Sequence, residues 1–118
     1  MRKVAHLKML FSVDLGDVDK DIPEDPEDFC ILVQALIGTD PDDAAADTFS
    51  LLVCTASRVP GHIPAGQALS GRSYLFLRRW DIHLVRRTIE GWCQAAAAES
   101  WEQVAERLCR YMDWEYES

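Results

Sequence analysis

Two apolar runs dominate the pattern of this chain. The first, Asp28-Phe29-Cys30-Ile31-Leu32-Val33-Gln34-Ala35-Leu36-Ile37, is closed by Gly38; the second is Thr48-Phe49-Ser50-Leu51-Leu52-Val53-Cys54-Thr55. Both are short and bounded by turn residues, which predicts strands with both faces covered. Their connector, residues 39–47, is too polar for an interior and belongs in water. A helix over 27–36 is the alternative for the first run, because Asp25-Pro26-Glu27-Asp28 offers a capping Asp, a Pro at the first helical position and acids in the first turn. The missing 3.6-residue periodicity and the Gly-plus-acidic turn after Ile37 favour the strand.

A weaker alternation over 3–11 predicts a further strand, with Lys3, Ala5, Leu7, Met9 and Phe11 on one face. Residues 73–80 predict the last clear strand. Between these strands lie two connections rich in Pro, Gly or Asp, 12–28 and 56–71, which predict surface loops, the first of them mobile. Long connections in a small domain are often functional.

The C-terminal third changes period. Asp81 caps a predicted helix whose apolar face is Ile82, Val85, Ile89, Trp92, Cys93 and Ala96. Ser100, with Gln103 three residues on, forms a capping box that starts a second helix with core face Trp101, Val104, Ala105, Leu108 and Met112. Glu106 and Arg110 are spaced as an i,i+4 ion pair on it. The tail Trp114-Glu115-Tyr116-Glu117 has the pattern of a segment laid along the sheet or of a short edge strand. Strands followed by helices predict an α+β fold, an antiparallel sheet of about four strands with two C-terminal helices on one face, in one domain spanning 1–118.

Charge sharpens this picture. The 118 residues carry a formal charge of −8. Residues 14–47 alone hold twelve acids against one base, Lys20. The solvated-surface reading of these acids is the ordinary one. The sharper reading is an electrostatic docking surface for a basic protein, on which Asp17, Asp19, Asp21, Glu24, Asp40, Asp42 and Asp43 are the expected contacts. The arginines at 72, 78, 79, 86 and 87 are interleaved with aromatics, but the overall charge opposes a polyanion, so no nucleic-acid partner is expected.

Other chemistries find little support. Counted from Asp17, the sixth and twelfth positions of a calcium loop hold Ile22 and Asp28 instead of Gly and Glu. Cys30, Cys54, Cys93 and Cys109 lie in apolar segments without C-x-x-C spacing, which predicts four buried, reduced thiols and no zinc site. A thiol enzyme built on Cys54 and His83 is a conceivable but weaker reading, since nothing in the sequence activates Cys54. No cofactor is expected. No apolar run approaches the roughly 20 residues of a membrane helix, and the basic N-terminus has no signal-peptide core, so the expected compartment is the cytoplasm.

The segments Pro23-Glu24-Asp25-Pro26-Glu27-Asp28-Phe29, Gln34-Ala35-Leu36-Ile37-Gly38 and Phe49-Ser50-Leu51-Leu52-Val53-Cys54-Thr55 come in an order that resembles the immunity protein 8 family. So do Trp101-Glu102-Gln103-Val104-Ala105-Glu106-Arg107-Leu108 and Trp114-Glu115. After Thr55 the sequence departs from the family pattern, with Ala56-Ser57-Arg58-Val59-Pro60 in place of an immediate Pro. The resemblance implies a bacterial, non-catalytic inhibitor that binds and neutralises a cognate toxin domain of a polymorphic-toxin or contact-dependent growth inhibition system. It implies a protein partner, with the inhibitor a monomer or weak homodimer. The matching positions are mostly apolar or turn-forming and read as scaffold. A structural or adaptor subunit is the alternative reading.

Overall fold

The structure, a computed structural model, describes residues 2–43 and 45–117. Its strands are β1 (His6–Phe11), β2 (Cys30–Gly38), β3 (Asp47–Cys54), β4 (Tyr74–Phe76) and β5 (Asp113–Trp114). Its helices are α1 (Ile82–Ala95) and α2 (Trp101–Leu108). The sheet runs β1-β2-β3-β4, and β5 pairs with β3 beyond β4 on the same edge. The β1–β2, β2–β3 and β3–β5 pairs are antiparallel, while β3–β4 is parallel, so the fold is α+β with one short parallel pair.

The run 28–37 is a strand from Cys30 onward. Its helix-like preface folds instead as a turn, with Asp25 Oδ1 accepting from Glu27 N–H. Alternate residues Ile31, Val33, Ala35 and Ile37 of β2 and Phe49, Leu51 and Val53 of β3 enter the core, and both helices pack on that face. Here the expectation of two covered faces fails. The even-numbered side chains Leu32, Gln34, Leu36, Ser50 and Leu52 are only half-buried. The shortest dimension of the molecule is 20 Å, room for one sheet and one helix layer of about 10 Å each. Among the described residues there is no third layer.

β1 departs from simple alternation. Leu7 faces Ile37 but Met9 faces Leu36, so the register slips by one residue at Lys8. A bulge of this kind reverses the face of every side chain beyond it. Leu7 and Leu10 therefore both pack inward, while Met9 and Phe11, expected beside Leu7, turn to the other face.

The C-terminal elements follow their sequence signals closely. Asp81 caps α1 by accepting from Leu84 N–H, and Val85, Ile89, Cys93 and Ala96 are buried. Ser100 Oγ accepts from Gln103 N–H, and the Gln103 side chain reaches back to the N–H of Glu99, one residue beyond the usual capping-box partner. Val104, Ala105, Leu108 and Met112 are fully buried. Because α2 ends at Leu108, Arg110 lies outside it, and the expected Glu106–Arg110 pair does not form among the described residues. The strand predicted over 73–80 is shorter, only β4 at Tyr74–Phe76.

The connection 12–28 is far from free. Val18 is buried in the core, Ser12 Oγ donates to Leu32 O, and Trp80 N–H donates to Pro26 O. At the opposite end of β2, Lys8 Nζ donates to the carbonyls of Asp43 and Ala45, drawing the β2–β3 turn back over Gly38. A Cβ on Gly38 would stand 2.5 Å from Ala45 O. Gly38→Ala should therefore destabilise the fold by about 1–3 kcal/mol. Thermal melting checks this; an unchanged Tm would mean that the turn opens without cost.

Candidate functional site

The uncovered sheet face is the most distinctive surface of the molecule. Across it Met9 stands opposite Leu36, Leu32 opposite Leu52, and Leu52 opposite Tyr74. Phe76 stacks on Tyr74 at 5.7 Å between ring centroids, and His62 meets Tyr74 edge-on. Met9 is 53% and Phe76 47% exposed. Near the β5 edge a groove of about 510 Å³ opens between the sheet and the 56–73 connection, floored by Leu32, Leu52 and Tyr74 and walled by Leu69, Arg72 and Asp113.

Acids border this face at both ends and along the β5 edge. At the start of β2, Asp14, Glu24, Asp25 and Asp28 line a polar groove of about 800 Å³ together with Arg58. Asp28 Oδ1 accepts from Ser57 Oγ at 2.6 Å and from Arg58 Nε at 2.9 Å. The Ser57 hydrogen bond first, and the Arg58 guanidinium next, hold the Asp28 carboxyl below its ordinary value. A depressed carboxylate favours the fold above its unfolded pKa, and that contribution is lost as pH falls through the lowered value. Along the β5 edge, Asp113 and Glu117 pair with Arg72, and Glu115 accepts from Thr48 N–H. Asp40, Asp42 and Asp43 occupy the turn after β2.

The seven acids expected as contacts thus fall in three places. Asp17, Asp19 and Asp21 belong to the α1 side: Asp19 and Asp21 line a hollow with Arg79 and His83, and Asp19 is ion-paired with Arg86 at 2.6 Å. Glu24 lies in the groove at the start of β2. Asp40, Asp42 and Asp43 lie at the far end of β2, roughly 26 Å away along nine residues of strand. Several also hold their own turns. Asp17 Oδ1 accepts from Asp19 N–H, Asp21 Oδ2 from Asp17 N–H, Asp40 Oδ1 from Asp42 N–H and Asp43 Oδ1 from Ala45 N–H. The Asp-rich composition therefore carries backbone structure as well as charge. Sequence reasoning passed over the even-numbered apolar residues of β2 and β3 because they look like core, and over Met9 because only the bulge turns it outward.

The cysteines differ from expectation. The β2–β3 register places Cys30 opposite Cys54, and the two are joined as a disulfide. Only Cys93 and Cys109 are free. Cys30 and Cys54 are 24 positions apart in sequence, and strand pairing alone brings them together. Burial, with a smaller contribution from Glu90, pushes the Cys93 thiol up to about 12, and burial chiefly raises Cys109 as well. Unfolded, unreduced protein should take up two alkyl groups and reduced protein four, while the native thiols should react slowly near neutral pH. Mass spectrometry reads the counts on air-oxidised protein, and four labels there without reductant would contradict the pairing. Cys54 belongs to the open side of the sheet and His83 to a helix on the opposite side, so they form no nucleophile–base pair. Among the described residues no group of His, Cys, Asp or Glu is arranged to hold a metal ion, and no helix is long and apolar enough to cross a membrane.

No curated protein and no solved structure matches this chain. Residues 5–118 match the family described as Immunity protein 8. With essentially its whole length covered by that match, the chain belongs to the immunity protein 8 family.

Proposed function

We propose that this protein binds a cognate toxin domain and neutralises it stoichiometrically, with no catalytic chemistry of its own. The carrying observation is the open apolar sheet face bordered by acids, found in a member of an immunity-protein family. An apolar centre with a charged rim is the anatomy of a protein–protein interface. The acidity suits a toxin with a basic surface, as nucleases have, because complementary charge accelerates encounter. The toxin belongs to a polymorphic-toxin or contact-dependent growth inhibition system, and the two meet in the cytoplasm of the protected cell. Reducing conditions there would open the Cys30–Cys54 bond, but the eight residue pairs between β2 and β3 hold the strands together without it.

Co-expression tests the reading. The toxin-like C-terminal domain encoded beside this chain's gene should arrest a sensitive host, and this protein should restore growth and co-purify with it. Arrest despite soluble expression of both would refute the pairing. Replacing Asp42 with Lys, which leaves the turn-holding carboxylates of Asp40 and Asp43 in place, should slow association about twofold or more at low salt and flatten its salt dependence. Unchanged association kinetics would remove this turn from the interface.

A further inference from the structure

The charge of the molecule is distributed around its open face. The acids at the two ends and β5 edge of the sheet are Asp14, Glu24, Asp25, Glu27 and Asp28, then Asp40, Asp42, Asp43 and Asp47, then Asp113, Glu115 and Glu117. The bases among them are Arg58, Lys8 and Arg72, with Arg78 and Arg79 between Leu77 and Trp80, which bond to Cys54 and Pro26. Twelve acids against five bases leaves eight acids against seven bases on the rest of the chain, so nearly all of the net −8 borders the sheet. The helix side is close to neutral, and its arginines partly cancel its acids, as Arg86 does Asp19.

We propose that the toxin domain docks on this face and not on the helix layer. Its surface carries an apolar patch that covers Leu32, Leu52, Tyr74 and Phe76, flanked by Lys or Arg side chains that meet the acidic rim. The proposal rests on the toxin-binding reading above and assigns its surface. Three features support it beyond apolarity. The rim supplies a sign complementary to a basic partner on three sides. The face measures about 15 by 27 Å from strand spacing and length, about half of the roughly 800 Å² per partner of a standard interface, so the partner must engage the rim as well. The stacked Tyr74 and Phe76 are aromatic anchors at its β4 margin, the residue class in which binding energy concentrates.

The test measures binding of the same toxin-like C-terminal domain, made catalytically inactive, to the full chain and its variants. Met9→Glu combined with Phe76→Glu alters two side chains that are about half exposed, so the fold is retained and the Tm should fall by no more than about 10 °C through loss of the Tyr74–Phe76 stack. Affinity should fall about 100-fold. Leu84→Glu, an exposed site on α1, should leave it within about twofold. A double variant that binds like the wild type, or Leu84→Glu as the weakened variant, would overturn the docking surface while leaving toxin inhibition standing. If the wild type neither binds nor rescues, the function itself fails. A wild-type homodimer that Phe76→Glu dissociates would assign the face to a second copy of this chain and overturn the proposal.

Discussion

Phe49→Ala should cost this protein about 3–5 kcal/mol of stability, a large part of the roughly 5–15 kcal/mol that a domain possesses. Phe49 is fully buried in β3. Its ring meets Trp101 of α2 edge-on at 6.1 Å and stacks with Trp114 of β5 at 6.3 Å. One side chain therefore joins the sheet to the second helix and to the C-terminal strand. Truncation leaves a cavity between two indoles that are both tied to Asp47 Oδ2, which limits how far either can collapse into it. Urea denaturation followed by tryptophan fluorescence would read the loss. A change below about 1.5 kcal/mol would mean that the indoles do repack, because only volume-conserving rearrangements are that cheap.

Asp47→Ala should cost about 2–4 kcal/mol. A single carboxylate oxygen, Asp47 Oδ2, accepts from Trp101 Nε1 at 2.8 Å and from Trp114 Nε1 at 2.9 Å. Both indoles are half-buried, so their N–H groups have little other company once the acceptor is gone. Hydrogen bonds to an ionised acceptor are each worth about 1.5–3 kcal/mol, and partial exposure keeps the pair below twice that. Asp47→Asn keeps one carbonyl oxygen and should recover part of the loss; an Asn variant as unstable as the Ala variant would make charge, not geometry, decisive. Asp47 and Phe49 hold the same two tryptophans, so the double variant should lose less than the sum of the singles. Simple additivity would refute a shared cluster.

The electrostatic and mechanical roles of the acidic residues meet in the same side chains. Asp40 and Asp43 shape the β2–β3 turn through their own backbone while adding charge to the sheet's far end. Asp28 is committed to Ser57 and Arg58, which fasten the start of the 56–73 connection to the head of β2. Reversing charge at such positions changes loop shape as well as potential. The exposed rim residues without local bonds to the backbone give the cleaner reading of electrostatic steering.

The sequence by itself determined the two helices with their caps, the strand pair at the centre, the α+β class and the family. Each rests on a local or ordered signal: 3.6-residue spacing with Asp81 and Ser100 as caps, apolar runs closed by Gly38 and Thr55, and a series of short motifs. The tertiary structure alone decided which face of β2 and β3 is covered, because an unbroken apolar strand looks the same whether one layer or two packs on it. It decided the slip at Lys8, which depends on pairing with β2 and turns Met9 outward. It joined Cys30 to Cys54, a contact made by register between residues far apart in sequence. It also divided one acidic composition into three separate places, since charge can be counted along a chain but is placed in space only by the turns that end its strands.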